Sequence, residues 1–209
     1  MIKIYLKAFE DTYSLLAKQR KKFSEKQVLK NREKFRDFAW GFLASVLKEQ
    51  YNIDFNKSTD LLYTDDGKPY IKNDPIYFNI TYSHNVVAVA ISDTKVGLDL
   101  QCVSSFKGQE WKLRKAFSKN ERKEIRHAKF KHQTMSMFWT RKEAYIKMKG
   151  LNPKKEALDK ITVNPNNQWL LLEANDSYFL TAINKVDDIA TELILDKNIK
   201  VLQRFKKGN

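Results

Sequence analysis

Apolar and polar residues alternate at the start of the chain. In MIKIYLKA (1–8), Ile2, Ile4 and Leu6 fall on one face and Lys3, Tyr5 and Lys7 on the other, the period of two that predicts a half-buried strand. The period then lengthens. In FSEKQVLKNREKFRDFAWGFLASVLKEQYNI (23–53), Ser24 and Gln27 have capping-box spacing, and apolar residues recur at Phe35, Phe38, Phe42, Val46 and Leu47. This predicts a long helix with Lys26, Lys30, Arg32, Lys34 and Arg36 on its polar face. Gly67 and Pro69 in DDGKPY predict a turn around Lys68. Three short segments rich in branched and aromatic residues follow: IYFNITYS (76–83), NVVAVAIS (85–92) and KVGLDLQCV (95–103). They predict a small antiparallel sheet with SDTK as a hairpin turn, and in its last strand Asp99 and Gln101 share the face opposite Leu98 and Leu100.

The second half repeats the plan. WKLRKAFSKNERKEIRHAKF (111–130) has a capping box at Ser118 and Glu121, and a second helix is expected from about Gln133 to Lys149, stopped by Gly150 and Pro153. KITV, NQWLLLEA, SYFLTAI, IATELIL and IKVLQRF then look like strands, with a turn at NPNN. The predicted fold class is α+β: two similar halves, residues 1–102 and 103–209, each a small antiparallel sheet packed with a long helix.

Composition narrows the classes. With 42% hydrophobic residues in 209, the chain can bury a real core, and it contains no repeat or low-complexity tract. The N-terminal stretch lacks the unbroken apolar run of a signal peptide, and no apolar run of membrane-spanning length occurs, so a soluble, cytoplasmic protein without a membrane partner is expected. A single cysteine, Cys102, excludes an internal disulfide and a cysteine-based zinc cluster. The net charge of +14 favours a polyanionic partner: a nucleic acid, an acidic protein or a phosphorylated small molecule. Nucleic acid is the weakest of these, since the basic residues are scattered and no recognised nucleic-acid-binding motif occurs.

Chemistry concentrates in two places. FWTRKEAYIKMKG (138–150) sets Trp139, Glu143 and Lys147 four residues apart, in one row on a helix. Such a row is equally the pattern of an ordinary salt-bridged helix face. Asp99 supplies a second carboxylate, and one or two carboxylates completed by water and substrate phosphates are how Mg²⁺ is usually held.

VGLDLQ (96–101) resembles the G-hydrophobic-D-hydrophobic-E strand motif of the 4′-phosphopantetheinyl transferases. FWTRKEAYIK resembles their W-x-x-K-E-A-hydrophobic-hydrophobic-K helix motif, with identity at Trp139, Lys142, Glu143, Ala144 and Lys147. The order and spacing of the two motifs, the upstream GKP, the FNITYSH strand and the two-half layout are also similar to the monomeric, surfactin-synthetase-activating type of that family. The resemblance covers most of residues 67–150; the first helix and the C-terminal strands match only in type.

The resemblance implies a pseudo-dimer with its active site between the halves, sufficient as a monomer. It implies transfer of the phosphopantetheine arm of coenzyme A to a serine of an acidic apo carrier protein (acyl or peptidyl carrier), with 3′,5′-ADP released and Mg²⁺, or Mn²⁺, required. Asp99 and Glu143 would be metal ligands, with Glu143 also taking the serine proton, and Lys147 would meet the phosphates. Trp139 would be a packing residue. Lys68 of GKP, Ser83 and His84 of YSH, and Lys34 or Arg36 on the first helix would contact the coenzyme. FNITYSHN carries two residues more than the commonest FNISHS form. Gln101 stands where many members carry a third acidic ligand, offering a neutral oxygen instead. That departure keeps open a homologue that binds coenzyme A or a carrier without transfer.

Overall fold

The computed structural model describes residues 1–9, 25–55, 61–72, 75–108, 114–152, 154–165, 167–185 and 190–205. Ser24, Pro153 and Asn166, invoked above in a cap, a stop and a turn, lie outside these, as do the side chains of Lys26, Lys30 and Arg32.

The expected alternation at the N-terminus forms β1 (Ile2–Ala8), and the long helix follows as α1 (Glu25–Tyr51). A short hairpin, β2 (Leu61–Tyr63) and β3 (Pro69–Ile71), carries the Lys68 turn, where Gly67 adopts φ 86°. Then come β4 (Tyr77–Ser83), β5 (Val86–Ser92) and β6 (Val96–Cys102). The capping box between Ser118 and Glu121 forms as expected and starts α2 (Lys119–His127); α3 (Lys131–Lys149) ends on Gly150 in the left-handed conformation. Four strands close the chain: β7 (Asn167–Glu173), β8 (Asp176–Asn184), β9 (Thr191–Leu195) and β10 (Ile199–Phe205).

Two four-stranded sheets result, ordered β4-β5-β1-β9 and β10-β7-β8-β6. Each holds a strand from the other half of the sequence. SDTK is therefore no hairpin turn: β5 is already flanked by β4 and β1, so β6 crosses to the second sheet and pairs antiparallel with β8. In return β9 runs parallel to β1, from Ile2 opposite Thr191 to Leu6 opposite Leu195, so the first sheet is mixed rather than antiparallel. The sheets do not divide at 102/103. KITV is not a strand either. Residues 158–160 form a 3₁₀ turn, and the carbonyls of Leu158 and Ile161 accept from the Lys142 ammonium instead of a neighbouring strand.

The alternating faces of these strands build the layers. Ile2, Ile4, Leu6, Ala88 and Ala90 of the first sheet meet Leu98, Leu100, Trp169, Leu171, Tyr178 and Leu180 of the second in one core. On the outer face of the first sheet, Ala39, Leu43, Val46 and Leu47 of α1 cover Tyr5, Phe78, Val87, Val89 and Ile91. On the outer face of the second, Ala144 and Met148 of α3 pack on Ile183. Residues 97, 99 and 101 of β6 thus face α3 while 96, 98, 100 and 102 enter the shared core.

Candidate active site

Gly97 sets how close α3 lies to β6. A Cβ there would stand 1.9 Å from the Ala144 carbonyl oxygen and 2.4 Å from the Met148 amide nitrogen, so only glycine admits the helix backbone at this depth. The result places the helix row directly beside the polar face of β6.

Asp99 is 5% exposed. Its Oδ1 lies 2.6 Å from the Lys147 ammonium and accepts from the Thr81 hydroxyl at 3.2 Å, while Oδ2 is buried with no hydrogen-bond partner. Burial pushes the Asp99 carboxyl above its ordinary range, opposed by the Lys147 charge and by the hydrogen bonds. Glu143, one turn before Lys147, is pushed up from 4.5 to about 7, by burial first and then by the Asp99 charge, against the pull of Lys147. Two carboxylates therefore share one ammonium, and one buried oxygen is left over. That deficit of positive charge fits a divalent, oxygen-preferring cation such as Mg²⁺, which takes one or two carboxylates and keeps its remaining positions for water and phosphate. Among the described residues no cluster of three or more His, Cys, Asp or Glu exists. Gln101, half-buried on the same face of β6, donates its side-chain amide to the Cys102 carbonyl at 3.3 Å.

A cavity of about 310 Å³ opens beside this pair, between α1, β4 and the end of α3, and Arg36, Lys68 and Lys147 all line it, with Trp40 and Tyr82 as aromatic walls. These three basic residues outnumber the Asp66 carboxylate on the same lining, an excess that suits an anionic ligand. Lys34, exposed on α1, is not among the lining residues. The Lys68 ammonium donates to the carbonyls of Val96 (3.0 Å), Lys147 and Met148, tying the start of β6 to the C-terminal end of α3; burial, reinforced by Lys95, brings it down to about 8. Ser83 is buried, and its hydroxyl accepts from the Cys102 amide at 2.9 Å. His84 follows in the β4–β5 turn at φ 49°. The cavity is lined instead by Tyr82, two residues earlier. Trp139 packs edge-on to Phe106.

Three further contributors escaped the sequence analysis. Thr81 touches both sides of the site: it donates to Asp99 and accepts from the Leu100 amide at 3.2 Å. It belongs to a ladder in which Asn79, Thr81 and Ser83 of β4 accept from the amides of Leu98, Leu100 and Cys102, so side chains at every second position brace the free edge of β6. The alternating polar residues in FNITYS were its sequence signal. Gly97 was visible as a motif letter but not as a contact. Lys142, also a motif letter, is 1% exposed and paired with Glu121 at 2.9 Å, so its ammonium joins α3 to the α2 cap and to the 158–161 loop.

Residues 95–182, which span β6, α2, α3, β7 and most of β8, match the family model of the 4′-phosphopantetheinyl transferase superfamily. No curated protein matches the chain.

Proposed function

Since residues 95–182 match the family model of the 4′-phosphopantetheinyl transferase superfamily, we propose that the chain moves the phosphopantetheine arm of coenzyme A onto a serine of an acidic apo carrier protein in the cytoplasm. The observation that carries this reading is the meeting of Asp99, Glu143 and Lys147 across the β6–α3 contact, inside the matched segment and beside a cavity lined by cations.

In the transfer a bond forms between the serine oxygen and the phosphorus that bears the pantetheine arm. The diphosphate bond breaks, and its bridging oxygen leaves with 3′,5′-ADP. Asp99 and Glu143 would hold the Mg²⁺ or Mn²⁺, with Gln101 as a neutral third donor, and the bound ion would neutralise charge on the diphosphate. Glu143 would also take the serine proton, directly or through a water, with the bound ion lowering the pKa of the serine hydroxyl so that a metal-bound carboxylate suffices as the base. Lys147 and Arg36 reach the cavity and would bind phosphate there; Lys34 and His84 are further candidates from outside its lining. Lys68 presents its stem to the cavity while its ammonium secures the end of α3. Ser83 braces β6, while Asn79, Ile80 and Tyr82 of the same strand line the cavity.

The two sheets support a pseudo-dimeric reading. β1, α1, β4 and β5 stand in the same order as β6, α3, β7 and β8, and both sets give a sheet ordered hairpin strand, hairpin strand, opening strand. A site between two such units needs no second copy of the chain, as in the monomeric surfactin-synthetase-activating type.

The test is intact-mass analysis of purified apo acyl carrier protein incubated with the protein, coenzyme A and Mg²⁺. The expected result is a gain of one phosphopantetheine group that EDTA abolishes and that Asp99→Ala cannot support. Absence of any gain with several acyl and peptidyl carriers, in Mg²⁺ and Mn²⁺ alike, overturns the reading; coenzyme binding without turnover would then assign a binding-only homologue, with Gln101 the place to begin.

A further inference from the structure

Lys147 is placed for two incompatible tasks. Its ammonium is 2.6 Å from Asp99 Oδ1 and 3.4 Å from the Thr81 hydroxyl, yet the same side chain lines the cavity into which Arg36 also brings positive charge. One ammonium cannot fully serve a buried carboxylate and a phosphate together. Among the described residues, Lys147 is the cation in salt-bridge contact with Asp99. Without it the carboxylate would be a buried, uncompensated charge, an arrangement that strongly disfavours ionisation. The compensation is also incomplete, since Oδ2 stays without a partner and Glu143 stands within reach of both charges.

We propose that Lys147 is the internal counter-cation of Asp99, occupying the divalent-cation position in the metal-free protein and exchanging out of it into the cavity when the ion binds. This rests on the transferase reading and extends it: Lys147 and the ion compete for one carboxylate oxygen, and the released ammonium becomes available to the phosphates only after exchange. Metal and nucleotide binding are thereby coupled through one side chain, and coupling of this kind is reciprocal.

The test is Mn²⁺ binding to the full chain, by electron paramagnetic resonance, in wild type and Lys147→Met, without nucleotide. A lysine that only binds phosphate leaves this affinity unchanged, and one that merely holds the fold together lowers it when removed. Competition raises it: the variant should bind Mn²⁺ about tenfold more tightly, within the usual range of coupling between sites. In the same proteins, 3′,5′-ADP binding should suffer from the substitution more with Mn²⁺ present than without it. Should Lys147→Met fail to fold, lysine-ammonium NMR of the wild type carries the test. Mg²⁺ should shift one protected ammonium signal while that of the buried Lys142 stays in place. Equal or weaker Mn²⁺ binding by the variant, or no ammonium signal that responds to Mg²⁺, overturns the proposal while leaving carrier modification intact. Wild-type protein that binds neither Mn²⁺ nor coenzyme A overturns the transferase reading and this proposal with it.

Discussion

Lys142 and Glu143 are adjacent in the chain and opposite in purpose. Lys142 is enclosed with Glu121, so Lys142→Ala strands a buried carboxylate and should cost about 3–5 kcal/mol in urea unfolding, much of it recovered by adding Glu121→Gln. Glu143 carries strain in its charged form. Its carboxyl is raised from 4.5 to about 7 in the fold, so the native state holds the proton more tightly than the unfolded chain between those values. The associated stability is complete below the window and lost as pH rises through it. In EDTA, Glu143→Gln should match the wild type near pH 4 and exceed it at pH 8 by about 1–3 kcal/mol, read from denaturation midpoints at each pH. A flat difference across that range would show that Glu143 is not held in this way. At this scale the helix motif announced which residues matter, but i, i+4 spacing could not separate a carboxylate facing a site from a lysine sealed in the interior, because burial depends on what packs against the helix.

At the scale of elements, the site is the contact between β6 and α3. Gly97→Ala puts a methyl against helix backbone, which no side-chain rotation relieves. Overpacking of this kind costs about 1–3 kcal/mol, and displacement of Glu143 from Asp99 should reduce carrier modification about a hundredfold in a folded protein. Retained turnover would show that the close approach is not required. The far edge of β6 invites a second measurement. Asn79→Ala removes the acceptor of the Leu98 amide, at 2.8 Å in the structure, and should cost about 1–3 kcal/mol with faster hydrogen exchange at Leu98. The individual strands and helices were legible, since periodicity and caps are local. Their pairing was not: SDTK reads as a tight turn whether the following strand folds back or crosses to another sheet, and only the occupied edges of β5 decide it. KITV failed similarly, its Ile161 carbonyl being claimed by Lys142 from a distant helix.

For the whole molecule, if the proposed transfer holds, the net charge of +14 should make encounter with an acidic carrier a steered process. Carrier KM should rise with ionic strength between low and physiological salt while kcat holds nearly constant; a salt-independent KM would argue against charge steering. No described helix is long and apolar enough to cross a membrane. By itself the sequence determined the charge, the α+β composition, most element positions and the two motifs, all of which depend on residue identity at short spacing. The tertiary structure alone decided that the halves exchange β6 and β9, that Asn79, Thr81 and Ser83 brace β6, and that Lys147 rests on Asp99. Those outcomes follow from which strand edges, buried oxygens and cations remain unpaired once the layers close, a competition among residues far apart in the chain.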